Sequence, residues 1–225
     1  MINQFKNLSC YEEFEIQCTL TGISKVDILK NIGHQIDNYY FFVSNDGVFN
    51  WYDLEGNYIK DPGLLKSIYK KYIPTTITKC VITDSVTSIG DGAFSYCTSL
   101  TSIIIPDSVI YIGEETFWGC KSLKEITIPN SITNIGNGAF ANCNSLKEIT
   151  IPDSVINIYF CAFANCNSLK EITIPDSVTS IGNGAFYACM SLKQIIFKGK
   201  TLEQIKQMIY YPFGIKDENI IKCEL

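Results

Sequence analysis

Hydrophobic and polar positions recur with a period of 23 residues between Ser85 and Gly199. Five full units begin at Ser85, Ser108, Ser131, Ser154 and Ser177. A half unit over 74–84 precedes them. Each full unit contains an alternation such as Ile126-x-Ile128, which places both side chains on one face of a strand. A single coil cannot bury that face alone, so the pattern predicts a stack of similar coils.

The same elements are predicted in every unit. In the first four units the inward-facing Ile pair is followed by Pro and then by Asp or Asn. In the last unit Lys198 stands in the place of this Pro. Pro lacks the N–H that would extend a strand, and Asp or Asn suits a corner. One Phe per unit predicts a stacked aromatic spine: Phe94, Phe117, Phe140, Phe163 and Phe186. The glycines expected at positive φ are Gly90, Gly113, Gly136 and Gly182.

The first 73 residues do not repeat. Their patterns predict a helix over 25–31, a three-strand meander over 39–43, 48–52 and 58–59, and a helix over 63–72. This region is either a cap that covers the first coil or a separate binding domain. After Gly199 the pattern predicts a helix over 202–209 and a last strand over 220–223.

These segments give a fold class and a domain division. A Leu- and Ile-rich period of this length predicts a leucine-rich-repeat solenoid. The class is α+β, with a β-rich solenoid whose parallel sheet lies on the concave face and a small α+β N-terminal domain. The predicted divisions are 1–73 for a capping or binding domain, 74–199 for the solenoid and 200–225 for the C-terminal cap.

The composition of the chain limits the kinds of partner that we expect it to bind. All 18 basic residues are Lys, and the net charge is −5. The Arg fork that reads phosphate and guanine is therefore missing, and nucleic acid is not an expected partner. No apolar run approaches the roughly 20 residues that a membrane span needs. The N-terminus shows no signal-peptide pattern, so we expect a cytoplasmic protein rather than one at the cell surface.

The placement of the cysteines also favours a cytoplasmic location. Five of the ten cysteines occupy one repeat position: Cys97, Cys120, Cys143, Cys166 and Cys189. Thiols in adjacent coils would form a ladder with steps of roughly 4.8 Å and act as small buried hydrophobic groups. We therefore expect free thiols in a reducing compartment rather than a disulfide framework.

The repeat resembles a known family. The pattern I-G-x-x-A-F-x-x-C-x-S-L-x-x-I-x-I-P-x-S-V is similar to the BspA-like class of leucine-rich repeats, over about residues 76–199. The resemblance implies a right-handed solenoid with a parallel concave sheet and short β segments on the other side. It also implies a role in protein binding, since several bacterial members look like surface adhesins. It supplies no shared catalytic residues.

The predicted concave face carries a polar stripe. Its outward positions are Glu125, Thr127, Glu148, Thr150, Glu171 and Thr173, edged by Lys124, Lys147, Lys170 and Lys193. At the ends of the stripe lie Ser102, Ile104, Gln194 and Ile196. The stripe is either a shallow surface for a protein partner or repeat drift, with Glu and Lys interspersed for solubility.

Departures from the repeat are a second set of candidates. They are aromatic: Tyr96, Tyr111, Trp118, Tyr159, Phe160 and Tyr187. In the fourth unit Tyr159, Phe160 and Cys161 replace the Gly-Asn-Gly of neighbouring units. These residues either anchor a partner or reflect drift at a tolerant corner.

Catalytic signatures are weak. The single histidine, His34, would have to lie beside Cys10 or Cys18 to form a nucleophile pair, and no spacing supports that. No metal, phosphate or dinucleotide motif is present, so no cofactor is expected. The leading hypothesis is a non-enzymatic intracellular adaptor or inhibitor that binds a protein, and its specific form is a protein of phage or mobile-element origin. The alternatives are a BspA-like surface adhesin and a cryptic Cys-dependent enzyme in the N-terminal domain.

Overall fold

A small antiparallel sheet precedes the repeats. The computed structural model describes residues 24–36, 38–43, 48–60, 66–70 and 73–225. Helix α1 (Lys25–Ile32) follows Ser24 and ends at Gly33, as predicted. The strands are β1 (His34–Ile36), β2 (Tyr39–Val43), β3 (Phe49–Asp53) and β4 (Tyr58–Ile59), in that spatial order. The predicted meander is confirmed, with β1 added at its edge.

Two ladders of parallel strands then run through the coils. In chain order the strands are β5 (Ser67–Ile68), β6 (Lys79–Val81), β7 (Ser88–Ile89), β8 (Ser102–Ile104), β9 (Tyr111–Ile112), β10 (Glu125–Thr127), β11 (Asn134–Ile135), β12 (Glu148–Thr150), β13 (Asn157–Ile158), β14 (Glu171–Ile174), β15 (Ser180–Ile181) and β16 (Gln194–Lys198). Even-numbered strands form the concave ladder and odd-numbered strands the second ladder. Pairing is in register, with Ile126 opposite Ile149 and Ile135 opposite Ile158.

The core lies between the two ladders. The inward Ile side chains are buried, with exposures between 9% at Ile105 and 0% at Ile174. The predicted aromatic spine is present, with centroids of neighbouring rings 5.3 to 5.7 Å apart from Phe94 to Phe186. Phe41 and Trp51 of the N-terminal sheet belong to the same hydrophobic cluster. One face of that sheet therefore covers the first coil.

A short C-terminal segment closes the stack. Helix α2 (Leu202–Lys206) has a capping box between Thr201 and Gln204, and it is shorter than predicted. A 3-10 turn (Glu218–Ile220) leads into β17 (Ile221–Glu224), which extends the concave ladder by pairing with β16. Phe213 is fully buried, and its carbonyl accepts a 3.0 Å hydrogen bond from the amide of Phe186.

The helix predicted over 63–72 is wrong where the structure describes it. Ser67 and Ile68 form β5 instead, and Ile68 is fully buried opposite Ile89. The carbonyl of Ile68 accepts a 2.7 Å hydrogen bond from the amide of Gly90. The first coil needs a neighbour for its backbone, and this requirement outweighs helix propensity. The rest of that helix, the turn at 45–47 and residues 1–23 lie outside the described ranges.

The prediction that four repeat glycines adopt positive φ is also wrong. The four glycines expected at positive φ do not adopt it; the next glycines along, such as Gly138 with φ 57°, do. The first glycine of each pair is required by close approach. A Cβ on Gly182 would lie 2.5 Å from the amide nitrogen of Phe160 in the preceding coil. Coil stacking, not turn geometry, excludes a side chain there.

Candidate functional site

The concave ladder exposes the predicted polar stripe. In β10 and β12 the pattern is exposed, buried, exposed, which leaves Glu and Thr facing outward on either side of a buried Ile. The parallel register sets Glu125 opposite Glu148 and Thr127 opposite Thr150. At the end of the ladder Ile196, which was predicted to face outward, is only 8% exposed. It lies opposite Lys222 of β17, a strand that the repeat pattern does not contain.

A groove of about 960 Å³ runs across the middle coils of this face. Seven of the predicted polar residues line it: Thr127, Lys147, Glu148, Thr150, Lys170, Glu171 and Thr173. Glu125 and Lys124 are exposed on the same face but do not line it. The groove also contains Asp107, Asn130 and Asp153, the corner residues after each Pro, which were treated only as turn formers. Their regular spacing was the signal that could have placed them there.

Like charges are neighbours on this concave face. The amide of Lys147 donates to the carbonyl of Lys124 at 2.9 Å, so the two side chains start from adjacent coils. Glu125 and Glu148 are directly opposite, an arrangement that is unfavourable in sheets. Within the described ranges, no Lys or Glu side chain lining the groove has an ion-pair partner within 4.0 Å; the ion pair between Lys200 and Asp176 lies outside it.

Two of the irregular aromatics are brought together. The rings of Tyr96 and Trp118 stack with centroids 6.5 Å apart and planes tilted by 24°. The Lys70 ammonium lies 5.5 Å from the Tyr96 ring centroid. Tyr96 is 54% exposed, whereas Trp118 is half-buried. They form a stacked aromatic pair on the surface of the first two coils.

Tyr111 lies instead on the second ladder. Its hydroxyl donates to Asp91 Oδ1 at 3.4 Å. Partial burial, followed by the negative charges of Asp91 and Glu114, raises the pKa of Tyr111. The Asp91 carboxylate also accepts a 2.9 Å bond from the amide of Glu114. Tyr111 is therefore part of a local polar network, although half of its surface is exposed.

The corner of the fourth unit presents two adjacent aromatic residues. Tyr159 is 43% and Phe160 55% exposed. The backbone beneath them keeps the repeat hydrogen bonds, because the amide of Tyr159 donates to Ile135 at 2.9 Å and the carbonyl of Phe160 accepts from Gly138. Cys161 takes the left-handed conformation, with φ 53°, where most other units have Gly. The three bulkier residues therefore change the surface of this corner and leave the hydrogen bonds between neighbouring coils in place.

Tyr187 borders a second cavity, of about 430 Å³, between the last coil and the C-terminal segment. Its lining is largely apolar and includes Phe186, Leu192 and Ile215. Met190 also lines it and is 81% exposed. Met190 was not among the predicted residues, although the other four full units carry a polar residue at that repeat position.

The cysteine ladder is built for packing. Each ladder thiol donates to a backbone carbonyl of the preceding coil, as Cys143 Sγ does to Phe117 at 3.2 Å. Burial raises the pKa of Cys97 to about 12 and that of Cys189 to about 11. The described cysteines are free, and a thiol that stays protonated is a poor nucleophile.

The described residues contain no cluster of three or more His, Cys, Asp or Glu side chains able to hold a metal ion. Cys10 and Cys18, named for a cryptic enzyme, lie outside the described ranges. In the part of the chain that is described, no helix has the length and apolar character needed to cross a membrane.

Comparisons with known proteins agree with this architecture. A family model described as a BspA type leucine rich repeat region matches residues 66–159 and 133–222, in 6 copies. It indicates no catalytic activity. No curated protein matches the chain.

Among the solved structures that are similar to this chain are two bacterial leucine-rich repeat proteins. A leucine rich cell surface protein from Faecalibacterium prausnitzii is 30% identical, with a TM-score of 0.57 over 79% of this chain. This chain spans only 42% of that protein. The leucine rich repeat protein of T. pallidum is 30% identical, with a TM-score of 0.55, over 62% of this chain and 67% of its own.

Proposed function

Because the chain belongs to the BspA-type leucine-rich repeat family, we propose that it is a protein-interaction module whose concave groove binds a charged, extended segment of a partner protein. One observation carries the proposal. The Lys and Glu side chains that line the groove are exposed and have no ion-pair partners among the described residues. The scaffold therefore presents charges that it does not use for its own folding.

The arrangement of these charges favours a bound partner. Glu125 and Glu148 lie opposite each other, and Lys124 and Lys147 start from hydrogen-bonded neighbouring coils. The Glu side chains of successive coils repel one another, and so do the Lys side chains. A partner with side chains of opposite charge relieves that repulsion on binding. The groove takes its lining from five successive coils, from Ile105 to Lys198, which suits an extended segment with basic and acidic residues better than a compact small molecule.

The aromatic departures supply the remaining binding energy. Aromatic residues dominate the energetics of protein interfaces, whereas uniform polar rows contribute orientation and association rate. Tyr159 and Phe160 are exposed on an unbroken coil, and Tyr96 stacks on Trp118. These two aromatic positions are the proposed anchors outside the groove.

Affinity capture with matched variants tests this function. The bait is the full chain, and partners are identified by mass spectrometry and confirmed by calorimetry. Glu148→Lys with Glu171→Lys reverses the groove charge, and we expect at least a tenfold weaker Kd, about 1.4 kcal/mol. Lys216→Glu, exposed on the C-terminal segment, is the control and should bind normally.

A second set of variants restores the repeat. Tyr159→Gly with Phe160→Asn introduces the residues found at these positions in the third and fifth units, and Trp118→Ala introduces that of the third and fourth. These variants should fold normally and bind about tenfold more weakly or worse. A partner whose affinity is unchanged by both the groove variant and the aromatic variants would contradict the proposed surface.

The proposed location is intracellular, where the module acts as an adaptor or inhibitor. Support comes from the ladder of free, buried thiols, which needs no oxidising compartment. Fractionation of the native host, with thiol alkylation during lysis, tests it. The protein should be recovered in the cytoplasmic fraction with reduced cysteines.

A surface adhesin is the second candidate. One observation favours it: the similar protein from F. prausnitzii is described as a cell surface protein. Recovery of the chain from the outer surface by protease shaving of intact cells would support this candidate and would count against the intracellular one. The concave groove would serve as the binding surface in both locations.

A further inference from the structure

Among the residues that the structure describes, no strand pairs with the outer edge of β17, the last strand of the concave ladder. β17 is the terminal strand of the sheet β14-β16-β17, with Lys222 opposite Ile196 and Cys223 opposite Phe197. The carbonyl of Glu224 points toward β16, since it accepts a 2.7 Å hydrogen bond from Gly199. Alternate residues of a strand direct their backbone groups to opposite sides. The N–H and C=O of Cys223 therefore point to the open edge.

The side chains along this edge are accessible. Residues 222–225 are all exposed, and Ile221 is buried beneath them. An exposed strand edge is a ready template for pairing with another chain. The backbone groups that point away from β16 belong to residues 221, 223 and 225, of which the amide of Ile221 already donates to the carbonyl of Glu218. An antiparallel partner strand must therefore align odd-numbered positions with odd-numbered positions.

The sequence of β17 is complementary to itself in one of these registers. When two copies pair antiparallel about Cys223, Lys222 lies opposite Glu224 of the second copy, and the two-fold axis repeats that pair. Opposite charges directly across two strands stabilise the pairing. A shift of two residues in either direction places Lys222 opposite Lys222, or Glu224 opposite Glu224. Like-charge repulsion therefore disfavours both neighbouring registers.

We propose that a second copy of this chain docks on β17 by antiparallel strand pairing centred on Cys223, giving a closed two-fold dimer. The sheet then continues through the interface from one solenoid into the other, which is strand addition to an exposed edge. This edge lies at the end of the ladder, beside Lys198 at one end of the groove, and the proposal rests on the pairing of β17 and not on the proposed function. A dimer presents two grooves to a partner.

Head-to-tail stacking is the competing arrangement. It would place β17 of one copy beside the first coil of the next and produce open filaments. At the other end of the array, Phe41 and Trp51 of the N-terminal sheet join the hydrophobic core that runs through the coils, so that sheet precedes the first coil where the next copy would have to dock. The charge complementarity of β17 with itself favours the closed pair.

Charge reversal tests the register. Light scattering after size exclusion, from about 5 to 500 µM, should give twice the chain mass for the parent protein at the upper end. Lys222→Glu or Glu224→Lys alone replaces attraction with repulsion in both symmetric pairs, and each should weaken dimerisation about tenfold. The double variant Lys222→Glu with Glu224→Lys restores opposite charges and should restore the dimer. Lys216→Glu, with the same change of charge outside β17, should have no effect.

Cross-linking at Cys223 tests the geometry. Hydrogen-bonded residues opposite each other in antiparallel strands have Cα atoms about 5.5 Å apart, within the range for a disulfide. Added diamide oxidises the two thiols to a disulfide and takes up their two electrons and two protons. A covalent dimer should form in the parent protein and not in Cys223→Ser, which should still dimerise in light scattering.

Three outcomes would overturn this proposal. The first is a single-chain mass at every concentration. The second is a double charge-reversal variant that stays as weak as the single variants. The third is a mass that keeps rising beyond two chains, which would indicate head-to-tail filaments. Circular dichroism melting of each variant separates loss of the dimer from loss of the fold, and loss of the dimer leaves capture by the concave groove in place.

Discussion

The ring of Phe140 stacks on the ring of Phe163 with centroids 5.5 Å apart and planes within 3° of parallel. On its other side Phe140 stacks on Phe117 at 5.3 Å. The three rings come from three successive coils, so no coil buries its own ring. The stability of each coil is therefore a property of its neighbours, as in other stacked repeats.

Truncation of the central ring should destabilise the whole stack. Phe140→Ala removes a ring that is 1% exposed and leaves a cavity between two other rings, so we expect a loss of about 3–5 kcal/mol in the free energy of unfolding. Phe160→Ala, on the exposed corner of the next coil, should change it by less than about 0.5 kcal/mol. Urea unfolding measures both, and equal losses would show that the spine is not the source of stability.

The first and second glycine positions of the repeat corner, represented by Gly182 and Gly138 of two different units, should respond differently to alanine. In Gly182→Ala the new Cβ meets the backbone of Tyr159 and Phe160 at 2.5–2.6 Å, so the coils must separate; we expect a cost of about 3 kcal/mol. In Gly138→Ala the nearest atom is 3.5 Å away, and only the left-handed φ of 57° opposes the change. Its cost should be about 1–2 kcal/mol. Thermal melting compares them, and a reversed order would contradict the close-approach explanation.

The thiol ladder should make the fold sensitive to alkali. Burial raises the thiol pKa of Cys97 from 9.0 to about 12 and holds that of Cys143 well above 9.0. From pH 9 upward the unfolded chain loses thiol protons that the folded chain keeps, so the free energy of unfolding falls as pH rises. Each buried thiol contributes up to about 1.4 kcal/mol per pH unit in that window, and nothing below it.

Urea unfolding under reducing conditions at pH 8 and pH 10 measures this effect. Replacement of Cys120 and Cys143 by Ala removes two of the buried thiols. The decrease between the two pH values should then be smaller by about 2–3 kcal/mol than in the parent protein. An identical decrease in the variant would assign the alkaline sensitivity to other groups, such as Tyr and Lys.

Removal of one groove carboxylate should stabilise the free protein. Glu148→Gln relieves repulsion from the directly opposite Glu125, and the free energy of unfolding should rise by about 0.2–1 kcal/mol at low salt. The gain should disappear in 1 M NaCl, where the screening length is about 3 Å. Glu203→Gln, in the first turn of α2, should give no gain, because a carboxylate there is favourable. A loss of stability in Glu148→Gln would indicate that the carboxylate has a partner within the fold.

The repeat pattern predicted the architecture because each position has one environment in every coil. Ile126 and Ile128 alternate with Glu125 and Thr127, so the inward and outward faces of the strand follow from the period of two. The Phe position likewise recurs opposite itself, which makes stacking unavoidable when coils are in register. The polar stripe on the concave face was predicted residue by residue for the same reason.

The ends of the array were less predictable. Ser67 and Ile68 form a strand because the first coil offers them unpaired backbone groups, and no local pattern signals that. Ile196 is buried because β17 lies beside β16 and places Lys222, 26 residues further along the chain, opposite it. Both results depend on which segment fills an open edge, and sequence spacing does not contain that information.

The sequence by itself determined the family, the inward and outward positions of the concave strand and the spine of Phe rings, because a fixed period converts spacing directly into stacking. Only the tertiary structure decided which glycines avoid contact and which tolerate a left-handed φ. It also decided which polar residues share a groove and that, among the described residues, β17 is the terminal strand of its sheet. These features depend on distances between atoms of different coils, and those distances are fixed only when the coils pack.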